Sequence, residues 1–194
     1  MKISDNLLKM LPKVELHCHL DGCLRINTII ELAQQDNISL PSSNPTDLKK
    51  ILSIGRKRGT LEEYISRFDI TLSVMQTPES LKRIAYELIE DVASENVRYI
   101  EVRYSPILHT SKGMTLEEAV IFVRDGLRKG EKDFGVKSGI IVCGIRHISP
   151  EASLSPTFPL LSVILQSVKL TVEPIMRKTR PWSVCPPPGE CPAR

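Results

Sequence analysis

The chain has 194 residues, with 26 Lys and Arg against 23 Asp and Glu, so its net charge is only +3. Hydrophobic residues make up 41% and charged residues 25%, an ordinary globular balance over a length that allows one domain or a little more. So small a net charge argues against a nucleic-acid or membrane-surface role, which usually shows a strongly basic face.

The opening stretch, MKISDNLLKMLPKVEL, carries Asp5 and Asn6 where a secretion signal would be continuously apolar. The longest apolar-rich run, Leu160 to Val168, is broken by Ser162 and Gln166 and falls short of the roughly 20 residues that cross a bilayer. Five cysteines are an odd number for a disulfide framework. They read as reduced thiols, and the expected location is cytoplasmic.

In chain order, Val14 to Leu20 is a strand candidate, with Gly22 expected to permit the sharp exit from it. Thr28 to Asn37 is helical, with Ile29, Ile30, Leu32 and Ala33 as its apolar stripe, and a shorter helix covers Asp47 to Ile54. Thr60 caps the next helix, with Glu63 three positions on; its apolar face is Leu61, Tyr64, Ile65, Phe68 and Leu72. Thr77-Pro78-Glu79 opens another helix, which runs to about Glu95. Val97 to Tyr104 is a second strand, Thr115 caps a helix reaching about Lys132, and Gly139 to Ile145 is a third strand.

Strands separated by helices imply parallel pairing and an α/β class. Composition changes near Pro150: 5 of the 14 prolines lie in residues 1–149 and 9 in 150–194. The final RPWSVCPPPGECPAR has no periodicity and is expected to be disordered. The expected organisation is a folded part over 1–150 and a divergent Pro-rich tail over 151–194.

The chemistry is concentrated in Val-Glu-Leu-His-Cys-His-Leu-Asp-Gly, residues 14–22. Strand alternation places Glu15, His17, His19 and Asp21 on one face, and Val14, Leu16, Cys18 and Leu20 on the other, which packs against helices. Two imidazoles at i and i+2 near a strand's carboxyl end can converge on one divalent ion, and nitrogen donors suit zinc. An isolated His-x-His is a weak signal; the ordinary alternative is two hydrogen-bonded histidines at the end of an edge strand. Elsewhere the bland readings prevail: Glu101 and Arg103 form a structural pair, Cys143 is packing, His147 is structural, and His109 is a solvated loop residue.

LPKVELHCHLDG resembles the opening motif of adenosine deaminases, zinc-dependent purine nucleoside hydrolases of the amidohydrolase superfamily. The resemblance continues through TLEEYISRFD (60–69), IAYELIEDVASENVRYIEVRYSP (84–106) and EKDFGVKSGIIVCGIRH (131–147), and stops near Pro150. Asp21 with EVRYSP is more like adenosine deaminase proper than the deaminases of methylated AMP, which tend to show Asn after the histidine motif.

The resemblance implies the N-terminal part of a (β/α)8 TIM-type barrel, incomplete because a whole barrel takes roughly 250 residues. It implies that His17 and His19 are zinc ligands, that His19, Asp21 and Gly22 face a nucleoside, and that Leu61, Tyr64, Ile65 and Phe68 lid the purine. It further implies hydrolytic deamination of adenosine or deoxyadenosine to inosine or deoxyinosine, with zinc-activated water attacking C6.

No histidine follows His147, and the only carboxylates after Pro150 are Glu151, Glu173 and Glu190. The zinc ligand set is therefore incomplete, no catalytic residue is identifiable, and the chain itself is expected to be weakly active or inactive. The competing readings are a non-catalytic truncated product or interaction module and, among enzymes, another purine or AMP deaminase. The expected partner is a small purine nucleoside, with no nucleic acid and no membrane insertion. Exposed sheet edges are expected to favour self-association.

Overall fold

The structure is a computed structural model that describes residues 4–53 and 61–145. The expectations placed on Thr60, His147 and the tail, and on the side chains of Leu61, Tyr64 and Ile65, lie outside what it describes.

The elements run α1 (Asp5–Met10), β1 (Lys13–His19), α2 (Ile26–Gln35), α3 (Pro45–Leu52), α4 (Leu61–Ser73), α5 (Pro78–Ser94), β2 (Val97–Tyr104), α6 (Leu116–Phe134) and β3 (Lys137–Val142). The strands form one parallel sheet in the order β1-β2-β3. Among the described residues only the central strand, β2, is paired on both sides.

The caps written in the sequence form as expected. Thr77 Oγ1 accepts the Ser80 N–H at 3.2 Å while Ser80 Oγ accepts the Thr77 N–H at 3.2 Å, with Pro78 in the first turn of α5. At α6, Thr115 and Glu118 exchange the same pair of bonds at 2.8 and 3.1 Å. Receiving those donors holds the Glu118 carboxyl below its ordinary range.

One face of the sheet is apolar. Ile100, Val102 and Tyr104 point from β2 into a core shared with Leu81, Ala85 and Leu88 of α5 and with Val120, Val123 and Leu127 of α6. The fully buried Tyr104 hydroxyl donates to the Ala119 carbonyl at 3.3 Å. Behind this layer α2 is fastened to α5 by arginines. Arg25 reaches Asp91 at 2.6 Å and Glu90 at 2.7 Å, and Arg83 links Glu31 at 2.6 Å to Glu87 at 2.7 Å. Thr28 adds a bond to Glu87 at 2.6 Å.

Three expectations are corrected. Val14 and Leu16 do not pack against helices: they are 61% and 55% exposed, because nothing described covers that stretch of an edge strand. Gly22 sits in a 3-10 turn (Leu20–Gly22) and is not among the positive-φ residues, so the exit from β1 does not need glycine's freedom.

His109 is not solvated. It closes a second 3-10 turn (Pro106–His109) and is 0% exposed. Its Nδ1 lies 3.1 Å from the Met75 carbonyl, and because a carbonyl can only accept, that nitrogen carries the proton. Beside it, Gln76 donates to the Leu72 and Leu108 carbonyls at 2.7 and 2.9 Å, pinning the turn to the end of α4.

Helices α5 and α6 pack closely against each other. A Cβ on Gly126 would run into the Lys82 carbonyl oxygen and stand 2.8 Å from Ala85 Cβ; one on Gly130 would stand 2.6 Å from Ile89 Cβ. Alanine gains about 1 kcal/mol over glycine as a helix former, but overpacking costs about 1–3 kcal/mol, and a backbone carbonyl cannot rotate away. Gly126→Ala is therefore expected to lower stability by about 1 kcal/mol or more, read as a fall in the denaturant midpoint.

His109 yields a second expectation. Burial pushes its pKa down to about 4 from 6.5, and protonation would put a new N–H at Nε2, which has no hydrogen-bond partner among the described residues. The folded state thus resists a proton that the unfolded chain accepts. The stabilisation is complete above pH 6.5 and is lost as pH falls toward 4, by about 3 kcal/mol in all. Unfolding free energies measured across that window should fall less steeply in His109→Gln than in the parent chain.

Candidate functional site

The site begins with a fault in a strand. Along β1 the partners on β2 run Val14 with Tyr99, Glu15 with Ile100, then Cys18 with Val102 and His19 with Arg103. Three steps on β1 match two on β2, so one extra residue is accommodated between Glu15 and Cys18. A bulge of this kind removes backbone groups from the ladder and re-aims the neighbouring side chains.

Two side chains serve those backbone groups. The Glu15 carboxylate accepts the His17 N–H at 2.9 Å. Arg103, 8% exposed on the centre strand, donates from Nη2 to the Leu16 carbonyl at 3.1 Å. Glu101, two residues earlier, accepts from the Tyr99 hydroxyl at 3.2 Å.

Beyond the bulge the two imidazoles converge. His17 Nε2 and His19 Nε2 stand 3.3 Å apart, with ring centroids 5.2 Å apart. Two nitrogens each about 2.0–2.1 Å from a tetrahedral zinc stand about 3.3–3.4 Å apart, so the pair fits two corners of such a site. No group of three or more His, Cys, Asp or Glu side chains suited to a metal occurs among the described residues. The donors present make half a site.

Asp21 lies just beyond, in the 3-10 turn, with Oδ1 4.0 Å from His19 Nδ1. That oxygen is buried without a hydrogen-bond partner among the described residues. Burial pushes the carboxyl above its ordinary range, against the pull of His19. Asp21 also opens onto a cavity of about 370 Å³, whose lining includes Gly22, Ile29, Lys49, Arg67 and Phe68. A Cβ on Gly22 would stand 3.6 Å from the Phe68 ring, so turn and helix meet in ordinary contact at the cavity wall.

Opposite the imidazoles, on the helix side of β1, the Cys18 and Cys23 sulfurs approach to 3.2 Å. The hydrogen bond between the two thiols holds the Cys18 pKa down and pushes that of Cys23 up, and burial raises Cys23 further.

The structure thus brings His17, His19 and Asp21 together and sets Gly22 and Phe68 on the adjoining cavity. Sequence periodicity missed the backbone roles of Glu15 and Arg103 and the place of Arg67 and Lys49 at the cavity. Arg67 carried one available signal: it sits next to Phe68 in the helix whose apolar face was read as a lid.

Solved structures of this architecture are amidohydrolases and deaminases built on TIM-type barrels. An amidohydrolase of Burkholderia ambifaria, solved with bound zinc, superposes with a TM-score of 0.73 at 25% identity, covering 88% of this chain and 46% of its own. An adenine deaminase of Arthrobacter aurescens gives 0.69 at 27% identity, over 81% of this chain and 48% of its own. An Arabidopsis N6-methyl-AMP deaminase gives 0.68 at 26% identity, over 87% and 52%. The three strands and their helices are part of such a barrel.

The adenosine deaminase family model matches residues 12–165, and the chain belongs to that family of hydrolytic enzymes. Adenosine deaminases of Clostridium botulinum are 49% identical to it over 140 residues, and one of Clostridium perfringens is 46% identical over 144. Those matches cover 72% and 74% of this chain but 42% and 43% of the relatives, so the chain spans under half their length.

The bulge generates an expectation of its own. Arg103→Met keeps much of the packing but takes the donor from the Leu16 carbonyl. A carbonyl left to partial hydration costs about 1 kcal/mol, and the His17 and His19 imidazole signals in NMR should shift together. Unchanged signals would mean that Arg103 does not position this strand.

Proposed function

We propose that the chain carries the first part of an adenosine deaminase active site, which converts adenosine or deoxyadenosine and water to inosine or deoxyinosine and ammonia. The observation that carries this reading is the 3.3 Å approach of the His17 and His19 Nε2 atoms at the carboxyl end of β1, where barrel enzymes build their sites. His17 and His19 would hold a zinc ion. Bound there, zinc supplies Lewis acidity and a water acidic enough to act as nucleophile near neutral pH.

The chain's own residues do the rest of the work available to them. Glu15 and Arg103 hold the bulge, and through it the direction of His17. Asp21, a buried acceptor 4.0 Å from His19, faces the cavity and is suited to receive a ribose hydroxyl. Phe68 walls the same cavity, and with Leu61, Tyr64 and Ile65 on the same helix it would cover the purine. Asp21 and the closeness of the clostridial relatives favour a nucleoside over a free base or a nucleotide.

Two imidazoles are one donor short of the three protein ligands of a catalytic zinc. The 194 residues alone are therefore a poor catalyst, with residues 1–150 as the partial barrel domain and 151–194 as a divergent tail. Self-association through the outer edges of β1 and β3 would shield edges that no strand among the described residues pairs. No helix among the described residues is long and apolar enough to cross a membrane.

The test is zinc titration of the full chain by calorimetry, with adenosine turnover measured on the same sample. One equivalent should bind, and His17→Ala or His19→Ala should weaken it at least tenfold. Turnover should fall far below the roughly 1–1000 s⁻¹ of ordinary enzymes. Zinc affinity indifferent to both substitutions would leave the interaction-module reading in its place.

A further inference from the structure

The Cys18 and Cys23 pair is unused by the chemistry proposed above. Cys18 points away from the imidazoles, Cys23 follows the 3-10 turn that carries Asp21 and Gly22, and both side chains are half-buried against the edge of the core. Their sulfurs are 3.2 Å apart. A disulfide needs about 2.05 Å, so closing the bond takes a movement of roughly 1.2 Å. The turn already brings the two together, since the Cys23 N–H donates to the Leu20 carbonyl at 3.2 Å.

We infer that Cys18 and Cys23 form a redox-modification site, a dithiol that a low-molecular-weight disulfide converts to an intramolecular Cys18–Cys23 bridge. One cysteine thiolate attacks a sulfur of the small disulfide, forming a mixed disulfide and expelling one small thiolate. The second cysteine then loses its proton and attacks the protein sulfur of that mixed disulfide, expelling the other small thiolate. Two protein thiols are oxidised, one small disulfide is reduced to two thiols, and the two protons pass to the leaving thiolates. The bridge ties the end of β1, where His19 sits, to the far side of the turn bearing Asp21. Oxidation thus fixes the spacing between strand end and turn without consuming a group on the histidine face.

The sequence makes the test clean. Trypsin cuts after Lys13 and Arg25, with no Lys or Arg between them, so Val14–Arg25 is one peptide holding both cysteines and no other. The reduced full chain is exposed to oxidised glutathione under native conditions, blocked with N-ethylmaleimide, digested and weighed, and a parallel sample is treated in urea. The expected product is the peptide two hydrogens lighter, free of maleimide and glutathione. It should form at least tenfold faster in the native chain than in urea, and dithiothreitol should restore two labelled thiols. Two maleimides, two glutathione adducts, cross-links to Cys143, Cys185 or Cys191, or equal rates with and without urea would each overturn the proposal.

Discussion

The site depends on how one irregular step in β1 is satisfied. An extra residue between Glu15 and Cys18 takes the Leu16 carbonyl and the His17 N–H out of regular pairing. Water reaches part of this exposed stretch, so each unmet backbone group here costs about 1 kcal/mol rather than the full penalty of burial, and side-chain partners favour the bulge. Arg103 supplies a cation to the carbonyl from the neighbouring strand, and Glu15 supplies an anion to the amide from the same strand. Both bonds involve a charged partner, the stronger kind. What they hold in place is the direction of His17, and so its approach to His19.

That arrangement rests on a scaffold built from the other side of the sheet. β2 can present Arg103 because Ile100, Val102 and Tyr104, alternating with it, are locked into the core under α5 and α6. Those helices sit close because Gly126 and Gly130 let the backbone of one meet the side chains of the other. Rigidity therefore passes from the helix pair to β2, and from β2 to β1 through the sheet and Arg103. Among the described residues the far edge of β1 has no such support, and Val14 and Leu16 are exposed there.

The sequence was most legible where a local rule decides. Strand β2 matches its expected limits, the Thr115 cap stands where hydroxyl and carboxylate spacing put it, and α5 starts at Pro78 as the Thr-Pro-Glu pattern implies. The six-residue α1 was missed because so short a segment offers under two turns of periodicity. The burial of His109 comes from packing a single 3-10 turn against Met75, distant in sequence, and against the ring of nearby Tyr104, contacts that local patterning does not register. The His-x-His pattern correctly placed two imidazoles together, but alternation assumes a regular strand and cannot register a bulge. The bonds that Glu15 and Arg103 make to the β1 backbone are therefore not legible from alternation.

The open half of the structure has the same physical origin as the half-built site. Parallel sheets are normally covered on both faces, because their connections place helices or further strands there. In the described residues, helices cover one face of the sheet, and the other carries Glu15, His17 and His19, all exposed. An exposed imidazole pair pays little desolvation, so it can face water without a metal. Buried behind an opposing wall, the same pair would need a cation or donors to compensate it. The drive to bind zinc therefore strengthens as the facing wall closes. Chain corresponding to the remaining length of the clostridial relatives would contribute in two ways, by adding ligands and by removing water from the two imidazoles already in place.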